Sequence, residues 1–120
     1  RLMRRGIITS DMAFKRTTSP TFRADVNVPV ANEAGGYDQN SFTAIFAHAT
    51  SSELEELRQL TNQELLKRKL VGWQMTDADT GQEVPYSADA LAAVLQIPPT
   101  PMYMAAAFWE QINGARAKNS

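Results

Sequence analysis

One short acidic segment carries the densest set of groups that could do chemistry. Asp77, Asp79 and Glu83 are closely spaced carboxylates, and a calcium loop collects its ligands from carboxylates at alternating positions. The pattern departs from such a loop in two places, because Gly81 arrives one position early and Ala88 stands where the bidentate glutamate belongs. We therefore interpret the segment as a turn between two short extended stretches, with weak metal binding as the alternative.

The single histidine, His48, is the other candidate for catalysis. Acid–base catalysis or metal ligation needs partners, and the chain has no cysteine and no second histidine. His48 also falls on the apolar face of a predicted strand, so we expect a structural role for it. Gly35-Gly36 lacks the spacing of a phosphate-binding loop. The sequence predicts no catalytic residue, no metal site and no cofactor; an enzyme built on the three carboxylates is kept as an alternative.

Composition narrows the class of protein. A chain of 120 residues is the size of one domain. The 12 basic and 13 acidic side chains nearly cancel, which argues against a nucleic-acid or membrane partner. No apolar run is close to the length of about 18 residues that a helix needs to span a bilayer. The absence of cysteine fits a reducing cytoplasm. We expect a soluble single domain.

The predicted domain covers residues 21–114. Residues 1–20 are a predicted flexible leader, and the part ahead of Met12 is interpreted as leader sequence of recombinant origin, with a native arm as the alternative. Residues 115–120 form a predicted flexible tail. The organised part of the chain is therefore expected to lie between these two segments.

Two alternating segments predict an antiparallel hairpin. Apolar and polar side chains alternate over residues 21–28, and residues 40–49 repeat the pattern with Phe42 on one face. Both faces of the second segment are fairly apolar, so we expect it to be covered on both sides. Pro29 and the Gly35-Gly36 pair fall between the strands, and they predict a long loop of about a dozen residues.

Two capping boxes predict two short helices instead of one long helix. Ser52 with Glu55, and Thr61 with Glu64, each fit the pattern in which a hydroxyl and a carboxylate satisfy free N–H groups. On one continuous helix the leucines of the two halves would face opposite ways, so we expect a break before Thr61. Gly72 is predicted to end the second helix in the left-handed conformation.

An extended segment is predicted to begin at Trp73, turn at Gly81 and return through Tyr86. We expect Trp73 and Phe42 to lie in the core. The predicted structural motif of the domain consists of Phe42, Gly72, Trp73, Gly81 and Tyr86.

The last third of the sequence predicts two more helices. Ser87 is the expected N-cap of the first, which must stop before Pro98-Pro99. Thr100 is the expected N-cap of the second, with Pro101 at its first position and Gly114 at its end. The predicted fold class is therefore α+β: a small antiparallel sheet of two or three strands packed by about four short helices.

The final helix contains the strongest candidate binding surface. Met102 and Trp109 lie on one apolar stripe, and Met104 and Phe108 lie on a second. A helix buried on most sides is one interpretation. The other is that the second stripe is exposed to a partner, because methionine and aromatic side chains are typical of adaptable binding surfaces. All four residues are candidate partner contacts.

Several motifs follow one another in a fixed order. The later ones are Gly72-Trp73, the Asp-x-Asp-x-Gly turn that ends at Gly81, the Val-Pro-Tyr-Ser run around Tyr86, and a closing segment. The most specific are Gly72-Trp73 with the turn behind it and the closing segment Gly114-Ala115-Arg116-x-Lys118-Asn119. In this order they resemble the tail assembly chaperones of long-tailed, lambda-like bacteriophages and prophages. The similarity extends from Thr21 to Asn119.

This resemblance implies a non-enzymatic role in virion assembly. Such proteins bind the long, hydrophobic, helical tape measure protein and keep it soluble while tail tube subunits polymerise around it. They act in the cytoplasm of the bacterial host and are absent from the mature virion. The family often makes a longer form by ribosomal frameshifting, and Lys118-Asn119 is compatible with a slippery codon run. The implied partners are the tape measure protein, the tail tube protein and a longer form of this chain.

Coating a long client requires many copies of modest affinity, so we also expect weak self-association. The alternative function is a structural tail or neck component that is retained in the virion. That alternative requires stable symmetric oligomers, which the sequence does not distinguish from transient association.

Overall fold

The computed structural model describes residues 13–15 and 17–114. Most of the predicted leader (residues 1–12 and 16) and the predicted tail (residues 115–120) lie outside the described residues. Three strands and four helices occupy the described part of the chain: β1 (Thr21–Ala31), β2 (Tyr37–Ala47), α1 (Ser51–Leu57), α2 (Asn62–Lys69), β3 (Leu70–Gln74), α3 (Ala88–Leu95) and α4 (Thr100–Ile112). The strands form one antiparallel sheet in the order β1-β2-β3, which confirms the predicted α+β class.

The β1–β2 hairpin is longer and its loop tighter than the sequence predicts. Pairing runs without a shift from Thr21 opposite Ala47 to Ala31 opposite Tyr37. Only residues 32–36 remain for the loop, so the expected dozen-residue loop is wrong. The alternation of apolar and polar side chains stops before the end of the hairpin, because the half of the hairpin near the turn is polar. The main-chain hydrogen bonds between β1 and β2 nevertheless continue to the turn.

Side-chain hydrogen bonds hold this turn. The Asn32 Oδ1 atom accepts the backbone N–H groups of Ala34 at 3.1 Å and Gly36 at 3.0 Å. Gly35 has a φ of 87°, a conformation that side chains with a Cβ disfavour. Asparagine at the start of the turn and glycine within it thus replace the long loop with five residues.

The core lies between one face of the sheet and the helices. The alternating residues Ala24, Val26 and Val28 are buried, as predicted, and Phe46 on β2 is fully buried. Ile45 and its neighbours on the opposite face of β2 remain half-exposed and outside the core cluster. Burial of β2 on both faces is therefore wrong.

The helix break before Thr61 is confirmed, together with its capping box. The Thr61 hydroxyl accepts the Glu64 N–H at 3.1 Å, and a Glu64 carboxylate oxygen accepts the Thr61 N–H at 2.9 Å. The Ser52 box is wrong, because Thr50 is the N-cap of α1 and accepts the Glu53 N–H at 3.2 Å. Thr50 has the extended backbone that a cap requires, and Ser52 already lies inside the helix.

Gly72 does not end α2. The helix stops at Lys69, and the chain enters β3 at once through Leu70, whose backbone is extended (φ −77°, ψ 125°). Leu70 and Trp73 are both buried although three positions separate them. A register shift opposite β2 accommodates the extra residue, so Gly72 lies within a bulged strand and not at a helix stop.

The two C-terminal helices confirm one predicted cap and correct the other. Ser87 caps α3 by accepting the Ala90 N–H at 3.0 Å. Thr100 is not a cap: it is the first residue of α4 and is buried, and Pro99 precedes it at the cap position without a side-chain hydrogen bond. Gly114 follows α4 with a φ of 78°, as expected for the residue after a helix end.

Candidate functional site

The acidic segment is a hydrogen-bonded turn. One oxygen of Asp77, Oδ1, accepts the backbone N–H groups of Asp79 at 2.8 Å and Thr80 at 3.3 Å. The Gly81 N–H donates to the Asp77 carbonyl at 2.7 Å, and Gly81 has a φ of 73°. Thr76 and the third carboxylate residue, Glu83, bridge across its base, which confirms the predicted turn. In the described part of the chain, no three or more His, Cys, Asp or Glu side chains are grouped to hold a metal ion.

His48 contacts neighbouring residues through both its ring and its main chain. Its ring packs edge-on against Phe22 at 5.2 Å between centroids, and its Nδ1 atom accepts the Ala49 N–H at 3.1 Å. Its carbonyl accepts a hydrogen bond from the Lys69 ammonium at 2.9 Å. These contacts match the structural role that the sequence indicates.

Of the predicted structural motif, Gly72 and Trp73 lie on the edge strand β3, and Trp73 contacts Phe42 and Tyr86. The Trp73 Nε1–H donates to the Val84 carbonyl at 2.8 Å, and the Tyr86 hydroxyl donates to the Leu70 carbonyl at 3.1 Å. The rings of Trp73 and Tyr86 meet edge to face with centroids 5.0 Å apart, and the Phe42 ring lies 6.3 Å from that of Trp73. Trp73 is buried and Phe42 is half-buried against the core. The motif therefore packs the segment after the acidic turn against β3.

Sequence analysis missed an ion pair at the end of α2, formed by a buried lysine and a half-buried glutamate. Lys69 is only 5% exposed. Its ammonium donates to both carboxylate oxygens of Glu53 at 3.1 Å, in addition to the His48 carbonyl. Arg68 binds the exposed side of this cluster, 3.1 Å from Glu56 and 3.6 Å from Glu53. The only local signal is the basic last turn of α2, because the acidic partners lie far away in sequence.

The predicted binding stripe on α4 is divided between core and surface. Met104 and Phe108 are fully buried, and the Phe108 ring packs against Phe22 and Phe46 at 5.7 and 5.1 Å. Exposure of this stripe is therefore wrong, because it lies on the side of α4 that packs against the sheet. Met102 is 54% exposed, and the half-buried Trp109 lies beneath the Arg58 guanidinium, 5.4 Å from its ring.

An uncharged stretch of the chain forms the turn between α3 and α4. Residues 90–109 contain no acidic, basic or histidine side chain. Within this run Ile97, Met102 and Tyr103 are 42%, 54% and 36% exposed. We call the exposed surface of Ile97, Pro98, Met102 and Tyr103 the α3–α4 corner. It could have been found from the length of the uncharged run and its prolines.

An open groove of about 690 Å³ lies beside this corner and reaches the first turn of α2. Its wall combines apolar side chains with hydroxyl and amide groups, and every lining residue is uncharged. The lining residues are Thr61, Asn62, Gln63, Leu95, Gln96, Pro98, Pro99, Pro101 and Met102. Such a surface can bury an apolar ligand and donate or accept a few neutral hydrogen bonds.

Neither α3 nor α4, nor any other single helix among the described residues, has the length and apolar character to cross a membrane. The two helices pass that test only when counted together, and they are bent by 108° at the break between them.

Comparisons with the models of known protein families, with curated proteins and with solved structures find no match to this chain. The features of this chain that bear on its function are the uncharged groove, the α3–α4 corner and the motif pattern of the sequence.

Proposed function

We propose that this domain is a non-enzymatic tail assembly chaperone, which binds the hydrophobic, helical tape measure protein of a long-tailed bacteriophage or prophage. It keeps this client soluble in the host cytoplasm while the tail tube forms, and it leaves before the virion is complete. The observation that carries the proposal is the α3–α4 corner, an exposed apolar surface beside an uncharged groove. The motifs that run from Gly72-Trp73 to Lys118-Asn119 support the same family.

The chemistry of the groove favours an apolar segment over a charged one. A charged side chain placed there would lose water without gaining an opposite charge, because every lining residue is neutral. An apolar client helix avoids this cost, and its ends can pair with the amide groups of Asn62, Gln63 and Gln96. The surface thus discriminates by polarity and not by a specific side-chain pattern.

The exposed apolar area of the α3–α4 corner limits how strongly one copy of the domain can bind the client. Burying a whole methionine or isoleucine side chain stabilises by about 1.5–3 kcal/mol. Since Met102 and Ile97 are about half covered already, we expect them to contribute about 2 kcal/mol together. A Kd of 1 mM corresponds to about −4 kcal/mol, so one copy binds weakly and many copies along a client are needed.

The test is co-expression of the chain with the tape measure protein from the same phage or prophage. We expect the client to become soluble and to co-purify. Met102→Asp places a charge on the corner and should abolish both effects. The matched control is Tyr37→Asp, which changes a residue that is 67% exposed on the hairpin and should leave client binding intact. Thermal melts of both variants establish that they are folded.

If Met102→Asp and Tyr37→Asp kept the client equally soluble, the client would not bind at the α3–α4 corner. An insoluble client, together with a stable ring formed by this chain alone, would favour the structural tail or neck component instead. Salt provides an independent check, because an apolar contact should weaken little between low and high salt. Nucleic-acid binding would weaken steeply over the same range.

A further inference from the structure

Among the described residues, β1 has one edge that is paired with β2 and one edge that is open. The hydrogen bonds of β1 show which residues face each edge. The His48 N–H donates to the Pro20 carbonyl and the Asn32 N–H to the Gly36 carbonyl, both at 3.0 Å. These bonds mark the two ends of the β1–β2 ladder, which has no register shift between them. Because antiparallel pairs alternate, even-numbered residues of β1 bond to β2, and odd-numbered residues point their N–H and C=O groups outward.

The outward groups of β1 are available for pairing over seven residues, Thr21 to Asn27. Within the described residues β1 pairs with β2 alone, and no other main-chain hydrogen bond involves Thr21, Arg23, Asp25 or Asn27. All four side chains are exposed. Pro29 occupies the next outward position and has no N–H, so it limits the open edge without removing a bond to β2.

The charges on this open edge are complementary to a second copy in antiparallel orientation. Pairing about Ala24 sets Arg23 opposite Asp25 of the second copy, and Asp25 opposite its Arg23. Thr21 then faces Asn27, so this register uses the whole open edge and excludes Pro29. On the inner face, Phe22 lies opposite Val26 of the second copy. Opposite charges and apolar pairs at directly opposed positions both stabilise a sheet.

Both charged side chains are able to make these new contacts. Arg23 takes part in none of the ion pairs found in the described residues. Asp25 accepts the Thr43 hydroxyl at 3.2 Å through Oδ1, which leaves its second oxygen for a guanidinium group. We infer that β1 pairs with β1 of a second copy of this chain, joining two three-stranded sheets into one of six strands. This dimer does not depend on the client that the α3–α4 corner binds.

The inference is tested by sedimentation equilibrium of the full chain over a concentration series. Arg23→Asp and Asp25→Arg each place like charges opposite each other twice, and each should raise the dimer Kd about tenfold. The double variant restores opposite charges in reversed order, and its Kd should return to within about threefold of the original. Such a reciprocal rescue is not expected from unrelated surface effects.

A second variant tests the main chain independently of charge. Asn27→Pro removes one outward N–H and leaves the β2 ladder intact, so a folded monomer with weakened association is expected. A monomeric original chain at millimolar concentration would overturn the inference, as would single reversals that leave the dimer Kd unchanged. Either result leaves the co-expression experiment with the tape measure protein unaffected, because that contact lies on another surface.

Discussion

The two edge strands of the sheet, β1 and β3, differ in the contacts that cover their outer edges. At β3, side chains bond to main-chain carbonyls: Trp73 donates to Val84, and Tyr86 donates to Leu70. At β1, the outward main-chain groups from Thr21 to Asn27 have no such cover in the described part of the chain. The buried Trp73 and the half-buried Tyr86 therefore fix the β3 edge and contribute to folding. We expect the outward groups of the β1 edge to contribute little to folding and to be open to association.

The largest effect is expected where the β3 edge is broken. Trp73→Ala removes a buried ring and its hydrogen bond, and it should lower the free energy of unfolding by about 3–5 kcal/mol. Trp73→Phe keeps most of the ring volume but leaves the Val84 carbonyl without its donor, so a loss of about 1–2 kcal/mol is expected. Urea denaturation followed by circular dichroism measures both.

The matched change at the β1 edge is Arg23→Ala, which should alter the free energy of unfolding by less than about 0.5 kcal/mol. If Trp73→Ala and Arg23→Ala lowered the free energy of unfolding by comparable amounts, the two edges would contribute equally to folding. The circular dichroism signal should be recorded at a concentration where the chain is monomeric, so that association does not contribute.

A smaller effect is expected at the ion pair that fixes the start of β3. Lys69→Met keeps the apolar stem but removes the ammonium that binds Glu53 and the His48 carbonyl. We expect a loss of about 1.5–3 kcal/mol in the free energy of unfolding. Arg68→Met is the control, because its ion pairs are exposed and contribute at most about 1 kcal/mol.

Salt separates the two cases further. The contribution of Arg68 should fall in high salt, and that of the buried Lys69 should persist because screening acts mainly on exposed charges. Denaturation of both variants in low and high salt measures this difference. Equal losses for the two variants would show that burial of Lys69 adds nothing to its ion pairs.

Local patterns in the sequence were sufficient for most of the fold. Alternation predicted both hairpin strands, and the caps at Thr61 and Ser87 were placed at the right residues. The errors at Ser52 and Thr100 arise because a hydroxyl can cap a helix only where the backbone is extended. That backbone depends on how neighbouring segments pack. The local sequence therefore predicts which helices and strands form, whereas several of the residues at which they begin and end depend on tertiary packing.

The candidate site was less accessible from sequence. The stripe of Met104 and Phe108 has the composition of a binding surface, but the same side chains are equally suited to a core, where Phe108 packs against Phe22 and Phe46 of the sheet. Periodicity on a helix identifies two stripes without saying which one meets the sheet. Ile97 and the buried Lys69 were missed for a related reason, since exposure and ion pairing both depend on residues distant in the chain.

A small stabilising effect is expected at Gly72, which lies within β3 and not at a helix end. Its φ is not positive, and an added Cβ would stand 3.7 Å from the Ile45 Cδ1 atom, an ordinary contact. Gly72→Ala should therefore raise the free energy of unfolding by about 0.4–1 kcal/mol, because alanine reduces the freedom of the unfolded chain. Gly81→Ala is the control and should lose about 1–2 kcal/mol, since position 81 has a φ of 73°. If Gly72→Ala were as destabilising as Gly81→Ala, the backbone of β3 at position 72 would be strained. A stabilised Gly72→Ala variant that no longer binds the client would instead make Gly72 a contact, and would place part of the binding surface on β3.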